Sequence, residues 1–261
     1  MMIAYLYDGT YSGLLCALAK AFAREEAPEA ICRSEDFIPD LLTTPISVTT
    51  REEKARKAAA VIRGRISPGA LEKIFLAYLS DRPEAGLAIY QYLHLGFRLG
   101  REVDAHLSRD PVRNIDSLIH KVRLESHRMK GFLRFRKVRD FYYAPMEPDH
   151  NILTLITPHF KERLPREAFI IHDLKRELAY FHQLEGDGYA PFTREEARAF
   201  LESREDQAWE GLWRAFFQTV SVEGRENPRL QKGFMPRRYW KHLTEMAEEV
   251  PPLPTEPPAL C

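Results

Sequence analysis

Two carboxylates and two imidazoles fall within the 13 positions from Glu147 to His159: Glu147, Asp149, His150 and His159. Such groups, brought close together, can hold a metal or pass a proton to and from a reacting atom. Their spacing matches neither the two-histidine helix motif of zinc proteases nor the His/Cys signature of zinc deaminases, so no metal is specified. Asp149-His150-Asn151 follows Pro148. The same residues therefore read as a turn entering a helix, with Asp149 as its cap. The turn is the favoured reading, and His150 is the residue expected to be chemically active if this segment does chemistry.

A second kind of chemistry, anion recognition, is written just upstream. Phe132 to Val138 alternates apolar and basic residues, the pattern of a half-buried strand. On such a strand Arg134 and Arg136 share one face, while Leu133 and Phe135 occupy the other. Guanidinium groups suit bidentate phosphate contact; a solvated face laced with ion pairs is the plainer alternative. His127, Arg128, Lys130, Lys137 and Arg139 lie close by in sequence, and Arg163 ends the next basic segment. A further basic stretch, Val222 to Trp240, interleaves Arg225, Arg229, Lys232, Arg237 and Arg238 with Gln231, Phe234, Tyr239 and Trp240. Cations beside aromatic rings can hold a nucleic-acid backbone and stack its bases, with Tyr239 or Trp240 as the platform. The same rings could instead anchor a loop to the core.

The chain has 38 Lys+Arg and 38 Asp+Glu among 261 residues, a formal net charge of zero. That balance argues for no partner, but its distribution does. Arg101 to Arg139 holds 11 basic and 5 acidic residues, and Arg225 to Lys241 holds 6 and 1. Segregated charge makes a local field even when the sum vanishes. The opening, Tyr7-Asp8-Gly9-Thr10-Tyr11-Ser12-Gly13, places glycines after an apolar run but fits no phosphate-loop pattern, so it reads as a structural turn. Cys16, Cys32 and Cys261 are sparse, odd in number and off every zinc or iron–sulfur spacing. They suit a reduced, cytoplasmic protein. The N-terminus lacks the basic start of a signal peptide, no apolar run approaches the roughly 18 residues of a membrane helix, and nothing specifies a cofactor.

The elements that must carry these residues follow from periodicity. Residues 2–7 read as a strand, Leu14 to Arg24 as a helix, and 45–50 as a second strand, giving an N-terminal strand-helix-strand unit. Helices are expected over 52–64, from Ser67-Pro68 onward, over 83–100 and over 112–129, the last with Val112, Ile115, Leu118, Ile119, Val122 and His127 on one side. Strand pairs are expected at 132–138 with 140–146, and at 168–173 with 177–182. Further helices are expected over 151–164, over 193–217 behind a Thr193/Glu196 capping box, and over 239–249. Trp209 and Trp213, with Phe216 and Phe217, read as core packing on the long helix. The fold class is α+β, predominantly helical with short strand pairs. It is read as one domain over 1–250, with a weak subdivision near 100–111 and a proline-rich, disordered tail over 251–261.

Six segments carry a resemblance: YDGTYSGLL, ESHRMKGFLRFR, YAPMEPDHNIL, TPHFKERL, FIIHDLKRELAYFH and RENPRLQKGFMPRRYWKHLTE. Through them the chain resembles a bacterial family of DNA metabolism or repair proteins, a domain of unknown function. That resemblance implies a radical S-adenosylmethionine protein as a partner and a relation to domains fused to uracil-DNA-glycosylase-like modules. The chain has no CxxxCxxC motif and so is not expected to be the radical enzyme. The reading is a DNA-binding accessory protein using His127, Lys130, Arg134, Arg136, Arg163, Arg225, Gln231, Arg237, Arg238, Tyr239 and Trp240. A nucleic-acid-processing enzyme built on Glu147, Asp149, His150 and His159, and an adaptor for the radical enzyme, are the alternatives. Whether the protein turns over a substrate is left open.

Overall fold

In the computed structural model of the chain, residues 2–24, 27–183, 186–202, 233–243 and 246 are described. They divide into two compact units, one of residues 1–124 with 149–151, the other of 125–148 with residues from 152 onward. The expected helix beyond Glu202, with Trp209, Trp213, Phe216 and Phe217, lies outside the described residues, as does the proline-rich tail.

The first unit opens with β1 (Met2–Tyr7), α1 (Tyr11–Phe22), β2 (Ala30–Arg33) and β3 (Thr43–Ser47). The three strands form a parallel sheet in the order β2-β1-β3. The expected strand-helix-strand unit is present, with one strand more than the sequence suggested. β2 is only four residues long and has no alternating pattern to announce it. The turn after β1 behaves structurally. Thr10 caps α1 by accepting from the Gly13 amide, and Asp8 accepts from the Thr10 amide and hydroxyl. Gly13 is needed there because a Cβ would come within 2.1 Å of the Asp8 carboxylate.

Helices α2 (Glu52–Arg65), α3 (Pro68–Tyr78) and α4 (Ala85–Leu99) follow. Ser67 caps α3 ahead of Pro68, as the local sequence requires. Gly86 lets α4 approach β2, since a Cβ would meet the Ile31 carbonyl oxygen at 1.9 Å.

Helix α5 (Asp110–Phe132) is three residues longer at its C-terminal end than its pattern suggested. This corrects the strand expected over 132–138. The Leu133 amide still donates to the Met129 carbonyl, and both side chains are buried, so the helical spacing outcompetes the local alternation. Only Arg136–Val138 is strand, β4. His127, expected on the buried side of α5, is exposed.

The second unit is organised by a five-stranded sheet in sequence order: β4, β5 (Phe141–Met146), β6 (Phe169–Asp173), β7 (Leu178–Gln183) and β8 (Gly186–Pro191). β5 and β6 are parallel, joined through α6 (Leu153–Arg163); the other pairs are antiparallel. β8 was not expected, because Gly186-Asp187-Gly188 supplies little apolar signal. Alternation divides the side chains between two faces. On one, α7 (Arg194–Glu202) brings Ala197, Phe200 and Leu201 onto Val138, Tyr143, Ile170 and Ala179. On the other, Phe169 meets Phe135 edge-on at 5.7 Å, and Phe135 meets Phe160 of α6 at 5.3 Å. Lys161 to Asp187 at 3.1 Å and Thr157 to Tyr189 at 2.6 Å tie α6 to β8. Thr193 and Glu196 form the expected capping box on α7. The described part of the expected last helix is a 3-10 turn, Arg237–His242. Among the described residues no helix is long and apolar enough to cross a membrane.

Candidate functional sites on the two faces of the sheet

The carboxylate and imidazole residues are divided between the two units. Asp149 and His150 belong to the first unit, Glu147 and His159 to the second. His150 is buried, and its Nδ1 lies 2.7 Å from the Ser80 carbonyl oxygen, where it donates a hydrogen bond. The Asn151 amide donates to the Leu79 carbonyl beside it. His150 is thus tied to the backbone in the role of a turn anchor, and the favoured turn reading describes it. Asp149 is half-buried; it does not cap the helix, since α6 starts at Leu153 with no side-chain cap. His159 is half-buried with its ring edge-on to Phe160 at 5.0 Å. No group of three or more His, Cys, Asp or Glu among the described residues could hold a metal.

Glu147 does stand in a polar cluster, with partners the sequence did not suggest. It continues the face of β5 that carries Tyr143. One carboxylate oxygen, Oε2, accepts from Lys241. The other, Oε1, lies 3.6 Å from Nη1 of Arg194 and 3.8 Å from Nε2 of His242, too far for direct hydrogen bonds. All three atoms are buried without a hydrogen-bond partner among the described residues. The three groups thus meet at ion-pair distance, with donor and acceptor capacity left over. Burial pushes the His242 imidazole down to about 4; Glu147 opposes this, while Lys241, Arg136 and Arg194 add to it. His172 on β6 is likewise pushed down to about 4 by burial, and its Nδ1 lies 2.8 Å from the Tyr143 hydroxyl. Both imidazoles are therefore neutral near pH 7. Arg136, expected on the surface with Arg134, is buried on this same face opposite Tyr143. The late end of α5 explains the separation: with no strand before residue 136, the two arginines never share a strand face.

The opposite face of the sheet carries a groove of about 480 Å³. Lys130 from the last turn of α5, Arg134 from the connection to β4, and Arg163 from the end of α6 line it, with Phe135, Tyr142 and Phe160 as apolar walls and Glu167 at the rim. Three cations against one carboxylate leave a positive recess. Arg134 also donates from Nη1 to the Gly131 and Leu133 carbonyls at 2.8 and 3.3 Å, closing the end of α5. Lys130 and Arg163 make no ion pair among the described residues. Periodicity could not have revealed this convergence, because three separate elements supply the three charges.

A family model described as a domain of unknown function, DUF4130, matches residues 83–245. The chain belongs to that family. The matched DUF4130 span covers every residue of the groove and of the Glu147 cluster, and it excludes β1, β2 and β3. No curated protein matches the chain.

The second basic segment falls only partly within the described residues; Arg225 and Gln231 lie outside them. Tyr239 is buried at 3% exposure, with its hydroxyl donating to the buried Glu125 carboxylate, so its ring has no open face for a base. Arg238 lies over that ring at 4.7 Å and reaches Glu125 at 3.5 Å. Arg237 is exposed and lies over the half-buried Trp240 ring at 5.5 Å, while the Trp240 indole donates to the Met235 carbonyl at 3.0 Å. Here the anchoring role expected as the alternative describes Tyr239.

Proposed function

We propose that this chain binds nucleic acid through the groove between α5, β4 and α6, as an accessory protein in DNA repair or modification. The observation that carries the reading is the groove itself: Lys130, Arg134 and Arg163 converge over Phe135, Tyr142 and Phe160. Lys130 and Arg163, which pair with no carboxylate among the described residues, gain by neutralising phosphates, and the counterions released add to affinity at low salt. Exposed His127 on α5 and Arg237 are further contact residues in this reading. The resemblance to DNA metabolism proteins, and the radical S-adenosylmethionine partner it implies, agree with it.

The test is fluorescence anisotropy of tag-free full chain with labelled DNA over a salt series. Binding that weakens steeply with salt, and a Lys130→Gln/Arg163→Gln variant that loses about two units of the log–log salt slope, support the reading. No binding at low salt overturns it.

The Glu147 cluster favours a second reading, a nucleic-acid-processing enzyme in which Glu147 and His242 handle the proton of a bound water. Here Glu147 keeps the acid–base role expected of it, and His242 takes the place expected for His150. Product analysis of oligonucleotides incubated with wild-type protein and with Glu147→Gln separates this reading from pure binding. Cleavage or base release by the wild type alone favours the enzyme.

A further inference from the structure

We propose that the groove takes one unpaired nucleotide, with its base against Tyr142 and its neighbouring phosphates against Lys130, Arg134 and Arg163. The inference rests on the nucleic-acid reading above and narrows it to single-stranded or extruded nucleotides.

The argument turns on how the walls differ. Phe160 is buried, and Phe135 is held edge-on between Phe160 and Phe169. Their faces are committed to packing. Tyr142 is half-buried on β5, and among the described residues its ring contacts no other aromatic ring and its hydroxyl bonds no partner. Its backbone is fixed from two sides, by the pairing with Lys137 across β4 and by the amide donating to the Ala168 carbonyl at 2.9 Å. A rigid strand thus presents an unoccupied ring inside a cationic recess of about 480 Å³. In a duplex the faces of each base are covered by stacked neighbours. Only an unpaired or flipped-out base can offer its face to a side chain. An acidic peptide could satisfy the cations but would leave the Tyr142 ring unused, whereas a base stacked on an aromatic ring uses both features of the groove.

The experiment compares three probes of equal length on the full chain: a single-stranded thymidine oligonucleotide, the same strand carrying abasic linkers, and a duplex. The expected result is that the base-bearing single strand binds on the order of tenfold more tightly than the abasic strand and also outcompetes the duplex. Tyr142→Leu, which keeps apolar bulk without a π face, should bring the base-bearing strand down to the abasic level. Tyr142→Phe should retain the difference, and neither variant should alter the salt slope. Equal binding of abasic and base-bearing strands overturns the inference while leaving the nucleic-acid reading standing, and so does a preference for duplex. Competition by a polyglutamate peptide at matched charge as effective as that of the oligonucleotide also overturns it. Absence of binding by all three probes overturns both readings.

Discussion

The two faces of the five-stranded sheet use charge in opposite ways. On the α7 face, Glu147 and Arg194 are about 85–90% buried, at 15% and 12% exposure, and answer to one another. On the α6 face, Lys130 is half-buried, Arg163 is exposed, and neither has a carboxylate partner among the described residues. Buried charges are expensive to leave unmatched, so the first arrangement ties electrostatics to folding. Exposed cations contribute little to folding and remain available to an outside anion. The difference teaches that the basic character of a segment says little until the burial of each residue is known. Arg134 and Arg136 are two positions apart and end on different sides of that divide.

Acid titration is the sharpest way to break the comparison. His172 and His242 sit at about 4 when folded, against 6.5 in a free chain, so the unfolded state binds more protons between those values. Stability contributed by the neutral imidazoles is complete above pH about 6.5 and is lost as pH falls toward 4. The loss approaches about 1.4 kcal/mol per pH unit for each histidine. Urea melts from pH 7 to 4 should show it, and His242→Gln should make the dependence shallower. An unchanged slope in that variant would remove His242 from the account.

Glu147→Gln comes next. It leaves Arg194 and the half-exposed Lys241 without a counter-charge among the described residues and should cost about 2 kcal/mol in chemical denaturation, while the DNA affinity proposed for the groove should stay the same. Thr193→Ala removes the cap of the helix that covers this face and should cost about 1 kcal/mol. Smallest in stability is Lys130→Gln/Arg163→Gln on the other face, expected within about 0.5 kcal/mol of wild type, whatever DNA affinity it loses under the proposed function. A groove variant that destabilised as strongly as Glu147→Gln would erase the contrast between the faces.

Much of the architecture was legible. Residues 2–7, the Ser67-Pro68 helix start, the Thr193/Glu196 box and the strand pair at 168–182 announced themselves through period and cap chemistry, which are local properties. β2 and β8 did not, because β2 is only four residues long and β8 carries few apolar residues, so both are held by their neighbours' hydrogen bonds rather than by their own pattern. The candidate site was legible in part. Lys130, Arg134 and Arg163 were singled out by residue type, but Tyr142, Arg194, His172 and His242 were not. Each of these lies on a different element from its partners, and sequence distance hides such pairs.

The sequence alone determined the class of the fold, the order of most elements and the residue types whose chemistry suits an anion, since these follow from periodicity, capping and side-chain chemistry. Only the tertiary structure decided which cations reach solvent and which are buried beside Glu147. That choice depends on where α5 stops and on which way each strand residue points. A helix end shifted by a few residues is a matter of packing energy summed over the unit, and no local pattern contains that sum.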